Sequence, residues 1–244
     1  MKKVSFYLLL SIVSFNLSAQ GLDKTYKTLD LALAGGVRGF SPALSFTQSW
    51  GLGKSNRFKI GYVVRVTSYF GGKADFRTAP ARFTSGTSSF TALVSDDIIA
   101  NIDTFRVKSF QTNALNIGII LQYALSNKLE IGVNIDATGK TWGGTVSGDL
   151  ISIRNKRKFQ DGSTTSPSNP ETYNFLLVSD SDIGSLNSEV YARYWITNKI
   201  GIRAGASYQL VELTTEKKVE INGRLNDTWR NKSLMPTVAV SYKF

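Results

Sequence analysis

From residue 22 onward the chain alternates. In 114–125, Leu115, Ile117, Ile119, Leu121, Tyr123 and Leu125 fall on one side, and Asn116, Gly118, Ile120, Gln122 and Ala124 on the other. That period of two is the signature of a strand with one apolar face, because successive side chains point to opposite sides of a sheet. The same alternation returns in segments beginning near Leu29, Leu44, Phe58, Leu129, Leu186, Ile200 and Leu234. Eight strands are thereby predicted. Short turns separate some of them, at 53–56, 126–128 and 197–199, and these repeat a spacing: Asn56, Asn127 and Asn198 recur every 71 residues. Asparagine suits such turns because it tolerates left-handed backbone. Long connections fall at 71–112, 143–184 and 215–231 and carry no pattern that predicts a fold.

An even set of antiparallel strands with one-sided alternation predicts an all-β, closed, eight-stranded up-and-down barrel. Alternation does not say which face is inside. A soluble ligand-binding barrel would turn its apolar face inward, whereas a transmembrane barrel turns it outward. The short turns at one end and long loops at the other favour the membrane form. So do aromatics near the strand ends (Trp50, Phe58, Phe70, Tyr123, Tyr194, Tyr208, Tyr242 and Phe244), placed as an interfacial girdle would be.

Composition narrows the chemistry. The 244 residues include no cysteine and no histidine, so disulfides, thiolate nucleophiles, Ser-His-Asp triads and histidine-ligated metals are excluded. No cofactor or metal is expected, and the chain is expected not to be an enzyme. The mean hydropathy of −0.10 excludes a polytopic helical membrane protein. The first segment reads as an address: Lys2 and Lys3 precede an apolar stretch that ends at Leu17-Ser18-Ala19. A cleaved signal peptide is expected at 1–19, with the barrel domain occupying 20–244.

Two stretches, 126–136 (SNKLEIGVNID) and 194–205 (YWITNKIGIRAG), together with the ending 238–244 (VAVSYKF), resemble outer-membrane barrels. The barrels they resemble are the eight-stranded transmembrane domain of outer-membrane protein A and the poorly characterised barrels of Bacteroidota-type bacteria. The resemblance covers strands and not loops. It implies residence in the bacterial outer membrane, a lipopolysaccharide-bearing lipid surround, and recognition of Tyr242 and Phe244 by the barrel-assembly machinery. Lipid A hydrolases, outer-membrane phospholipases and omptin-type proteases share the architecture but rely on histidine, which this chain lacks.

The candidate site is the barrel interior. The polar faces place Lys59, Arg65, Glu130, Asp136, Lys140, Glu189, Arg193, Arg203 and Lys243 there, six basic and three acidic. A turn centred on Asn198 sets Arg193 opposite Arg203. Two facing cations need a carboxylate, with Glu189, Glu130 and Asp136 as candidates. Glycines on the same face, Gly132 among them, are expected to make room for large side chains across the barrel. A second candidate is the basic run Arg154, Lys156, Arg157 and Lys158 in a long loop, suited to anionic glycolipid. Export argues against nucleic acid as its partner. The favoured expectation is a monomeric structural or surface-interaction protein acting through its loops. The alternative is a narrow passive channel with weak anion preference, from the basic excess.

Overall fold

The structure, a computed structural model, describes residues 22–86, 96–177 and 181–244. The expected signal peptide at 1–19 lies outside them. Among the described residues there are thirteen strands: β1 (Thr25–Gly36), β2 (Gly39–Leu52), β3 (Phe58–Gly71), β4 (Ala74–Thr78), β5 (Thr104–Val107), β6 (Phe110–Ala124) and β7 (Leu129–Gly143), then β8 (Val146–Ile151), β9 (Thr165–Pro170), β10 (Tyr173–Phe175), β11 (Leu186–Trp195), β12 (Ile200–Ile221) and β13 (Arg224–Lys243). Every pairing between them is antiparallel. The sequence pattern predicts eight. The five extra strands, β4, β5, β8, β9 and β10, lie in the two segments expected to be long loops, 71–112 and 143–184.

The pairings trace two circuits that share one hairpin. The lower circuit runs β1–β2–β3–β6–β7–β11–β12–β13 and returns to β1. The upper circuit runs β12–β9–β8–β5–β4–β13, closed by the upper part of the same β12–β13 hairpin. The shared hairpin corrects a second expectation. Segment 215–231 is not a loop: β12 continues to Ile221 and β13 restarts at Arg224. The two residues between them, Asn222 and Gly223, both have positive φ, 51° and 74°. That is the backbone of a type I′ turn, which Asn-Gly adopts readily because its twist matches that of paired strands.

The two circuits have opposite interiors. Inside the upper one, Phe76, Phe105, Val107, Leu150, Leu213, Val219, Ile221 and Trp229 form a buried apolar cluster. Its rings pack closely: Phe105 lies 5.6 Å from Trp229, and Phe76 meets Phe110 edge-on at 5.2 Å. A four-residue helix (Ala81–Thr84) and a 3-10 turn (Ile99–Asn101) flank this cluster. The Asn101 side chain ties them together by donating to the Phe83 carbonyl at 2.9 Å.

Around the lower circuit, the apolar residues point out. Leu31 is 64% exposed, Val238 58% and Ile117 52%. Their alternating neighbours Asp30, Thr237 and Asn116 are buried. A water-soluble protein hides such apolar residues and exposes the polar ones. Here the hydrophobic effect has no inner face to act on, so the apolar band requires an apolar surround.

Candidate functional site

The lower interior is built by parity. On each of its strands, the residues between the outward apolar positions point inward. Among the described residues, eight of those buried inward positions carry charge: Asp30, Lys59, Arg65, Glu130, Asp136, Glu189, Arg193 and Arg203. The expected register holds, with Arg193 directly opposite Arg203. Glu130 and Glu189 both answer the pair, as anticipated: Arg193 Nη1 donates to Glu130 at 2.6 Å, and Arg203 Nη2 meets Glu189 at 3.1 Å. The central anion is Asp30, which is not among the carboxylates expected from the sequence. It receives Arg193 Nη2 on both oxygens at 3.0 Å and lies 3.7 Å from Arg203 Nη1. It also accepts from the hydroxyls of Ser241 and Thr28. The signal for it is present in the chain, since Asp30 sits between Leu29 and Leu31, both outward.

The network continues up the interior. Arg65 meets Asp136 at 3.6 Å and Glu189 at 3.8 Å, and donates to the Asn134 side chain. Asn116 and the Asn187 backbone donate to the second Asp136 oxygen at 2.8 and 3.0 Å. Toward the lower mouth, Tyr26 donates to Glu130 at 3.0 Å, and the Lys59 ammonium lies 3.8 Å from the centre of the Tyr26 ring. Tyr191 fills the middle, with Arg203 4.7 Å from its ring centre. It can do so because its cross-strand partner is Gly132, where a Cβ would lie 2.5 Å from the Tyr191 ring. The room-making role expected of this glycine is what the geometry shows.

Two residues expected in this interior are elsewhere. Lys140 is exposed, because the register between β6 and β7 shifts at Ile117/Gly118. One extra residue, Ala137, reverses the parity of β7 above that point. Lys243 lies at the lower mouth, half-buried, paired with Asp23 at 3.0 Å. The buried charges are therefore four basic and four acidic, and the basic excess behind the expected anion preference is not there. Each of the eight is at most 5% exposed. A water-filled passage would leave them accessible.

At the seam between the circuits lies a second buried pair, which the alternation does not single out. Glu212 on β12 and Arg230 on β13 are cross-strand partners, 3.1 Å apart. Glu212 also accepts from the Gly184 backbone at 3.2 Å, and Arg230 donates to the Asp182 carbonyl. The pair thus fastens the end of the 143–184 segment to the shared hairpin. Burial pushes the Glu212 carboxyl up to about 7, although Arg230 opposes the shift.

The basic run is split. Arg154, Lys156 and Lys158 are exposed, but Arg157 turns inward to Asp103 at 2.9 Å. Tyr242 and Phe244 face outward at the foot of β13, their rings edge-on at 5.2 Å. Among the described residues no group of three carboxylates could hold a metal ion.

No family model matches the chain, and no curated protein matches it. Among solved structures the chain is similar to Neisserial surface protein A, at 15% identity, covering 91% of this chain and 98% of that one, with a TM-score of 0.41. It is also similar to a major outer membrane protein from Thermus thermophilus, at 14% identity, 91% and 100% coverage and a TM-score of 0.38. A third is Ail, the attachment invasion locus protein of Yersinia pestis, in complex with the heparin analogue sucrose octasulfate, at 10% identity, 90% and 97% coverage and a TM-score of 0.34.

Proposed function

We propose that this chain is a non-enzymatic outer-membrane protein whose eight lower strands close into a transmembrane barrel and whose upper strands form a folded external cap. The observation that carries this is the inverted lower circuit, with its apolar residues exposed all round and its charged residues buried. Only a bilayer makes that arrangement favourable, and only a closed ring of strands satisfies every backbone group inside one. The short turns and both ends of the described chain face the periplasm. The cap faces outward and carries the surface interactions expected of the long segments. Tyr242 and Phe244 are the residues offered to the assembly machinery.

The lumen is a sealed polar core. Ion-paired guanidinium and carboxylate groups fill it, and the apolar core of the cap stands above it. Conductance of the refolded mature chain in planar bilayers tests this. No stepwise current is expected from the wild type, while the folded barrel migrates differently from the heat-unfolded chain in gel electrophoresis. Steady single-channel currents that change with Arg193→Ala would replace this reading with the channel.

A further inference from the structure

Between the polar core of the barrel and the apolar core of the cap lies a buried cavity of about 20 Å³. Two strand pairs wall it from opposite sides of the lumen. Thr67 and Ala114 are cross-strand partners in the β3–β6 wall, and Asn187 and Gln209 are partners in the β11–β12 wall. The cavity exists because the side chains at this height are short. Thr67, Ala114 and Ser185 border a lumen that Tyr191 and the arginines fill lower down. Above them Tyr69 and Phe110 begin the apolar core, edge-on at 5.2 Å. Every residue that lines the cavity is at most 7% exposed.

The lining is polar, and its hydrogen bonds are not closed. Among the described residues, the hydroxyls of Thr67 and Ser185 are buried without a partner. The Thr112 hydroxyl and the Gln209 amide line the same cavity and also have no side-chain partner among the described residues. Their polar neighbour Asn116 does not answer them. Its amide donates to Asp136 and to the Ser185 carbonyl, and its oxygen accepts from Asn174. A buried polar group left unpaired is costly. Here four of them border one small space, and they include both donors and acceptors.

Size and charge identify the ligand. A water needs at least about 10–15 Å³ and two to four polar partners. The cavity offers about 20 Å³, room for one such molecule. No charged side chain lines it. The Arg65 guanidinium stands at its edge, donating to the Asn187 carbonyl at 3.4 Å, which disfavours a cation. A neutral molecule that both donates and accepts fits this lining.

We infer that the cavity binds a single water molecule, held by Thr67, Thr112, Ser185 and Gln209. The water joins the β3–β6 wall to the β11–β12 wall and to the end of the 143–184 segment, at the height where the polar core gives way to the apolar one. This rests on the sealed-lumen reading above, since a conducting lumen would hold freely exchanging water at the same place.

Radiolytic footprinting of the refolded chain in detergent tests it, with glutamine in the bulk as a radical scavenger. X-ray cleavage of a bound water releases a hydroxyl radical inside the cavity, beyond the reach of the scavenger, and the radical oxidises the nearest side chains. Tyr69 and Leu210 line the cavity, whereas Phe105 and Leu213 are buried in the cap away from it. In the wild type, Tyr69 is expected to be oxidised ahead of Phe105, and Leu210 ahead of Leu213, at rates that added scavenger leaves unchanged. Thr112→Val keeps the shape of the side chain, removes one partner of the water, and is expected to lose most of that excess. Ala114→Val puts methyl groups into the cavity. It is expected to abolish the excess and to lower the urea midpoint, because the displaced water leaves polar groups unpaired. A dry cavity would instead gain stability from the same filling. If Ala114→Val fails to fold, Thr112→Val decides the question. No excess oxidation in the wild type, an excess that Thr112→Val leaves intact, or a stabilised Ala114→Val overturns the water site and leaves the sealed lumen standing. An excess that the scavenger suppresses shows bulk water entering, and overturns both.

Discussion

The two circuits of strands share a hairpin but reverse its chemistry. Below the seam, Arg193 of β11 and Asp30 of β1 are fully buried while Ile202 and Val240 of the shared hairpin are half exposed. Above it, Leu213 and Trp229 of the same hairpin are buried, and charged residues such as Glu216, Lys218 and Arg224 lie outside. One pair of strands thus runs through two solvents. Where lipid surrounds the wall, burial of apolar surface occurs on the outside, and the inside must satisfy its polar groups with one another. Where water surrounds it, the hydrophobic effect works inward in the ordinary way. The difference shows that polarity of a barrel interior follows from what lies outside it.

The sharpest break of this comparison is Arg193→Met. It leaves Asp30 and Glu130 buried without their main cation, which costs about 5 kcal/mol. Urea titration of the folded barrel in detergent, followed by gel mobility, should show the lower unit failing first. An unchanged midpoint would mean that water already reaches the lumen. Trp229→Ala addresses the upper unit. Removing the largest ring from its apolar core costs about 4 kcal/mol, and protease should then cut the cap while the barrel keeps its folded mobility. If barrel and cap are lost together, they form one cooperative unit and the comparison collapses.

The smallest effect concerns the seam. Because burial raises the Glu212 carboxyl from 4.5 to about 7, the folded state binds a proton that the unfolded state has already released between those values. The stability it contributes is full below pH 4.5 and is lost as pH rises through about 7, a change of roughly 3 kcal/mol. Hydrogen exchange of the segment around Gly184 should therefore quicken from about pH 5 to about pH 8, after correction for the intrinsic exchange rate. Glu212→Gln should flatten that dependence, and an unaltered profile would remove Glu212 as its cause.

Much of the lower unit is legible in the sequence because a strand in lipid needs only a period of two. Leu115, Ile117 and Ile119 announce their face, and the 197–199 turn announces that Arg193 meets Arg203. Asp30 is equally legible, from its place between the outward Leu29 and Leu31 of β1. Lys140 is misplaced by the pattern for a different reason. A single bulged residue at Ala137 inverts all later parity, and nothing local in Ala137-Thr138-Gly139 marks it. The upper unit escapes reading almost entirely. Its own strands, β4, β5, β8 and β9, are four to six residues long, too short for periodicity to show, and the one strong local signal, Asn222-Gly223, lies within a long connection that carries no clear alternation.

Sequence alone determined the alternation, the absence of histidine and cysteine chemistry, and the register wherever a short turn joins two strands, because each is a property of composition or of neighbouring residues. Tertiary structure alone decided which carboxylate meets which guanidinium, that the long segments close into an apolar ring, and that Thr67, Ser185 and Gln209 share one cavity. Those outcomes depend on pairings between residues far apart in the chain. Such contacts are selected by the closure of the whole sheet, and no local pattern records them.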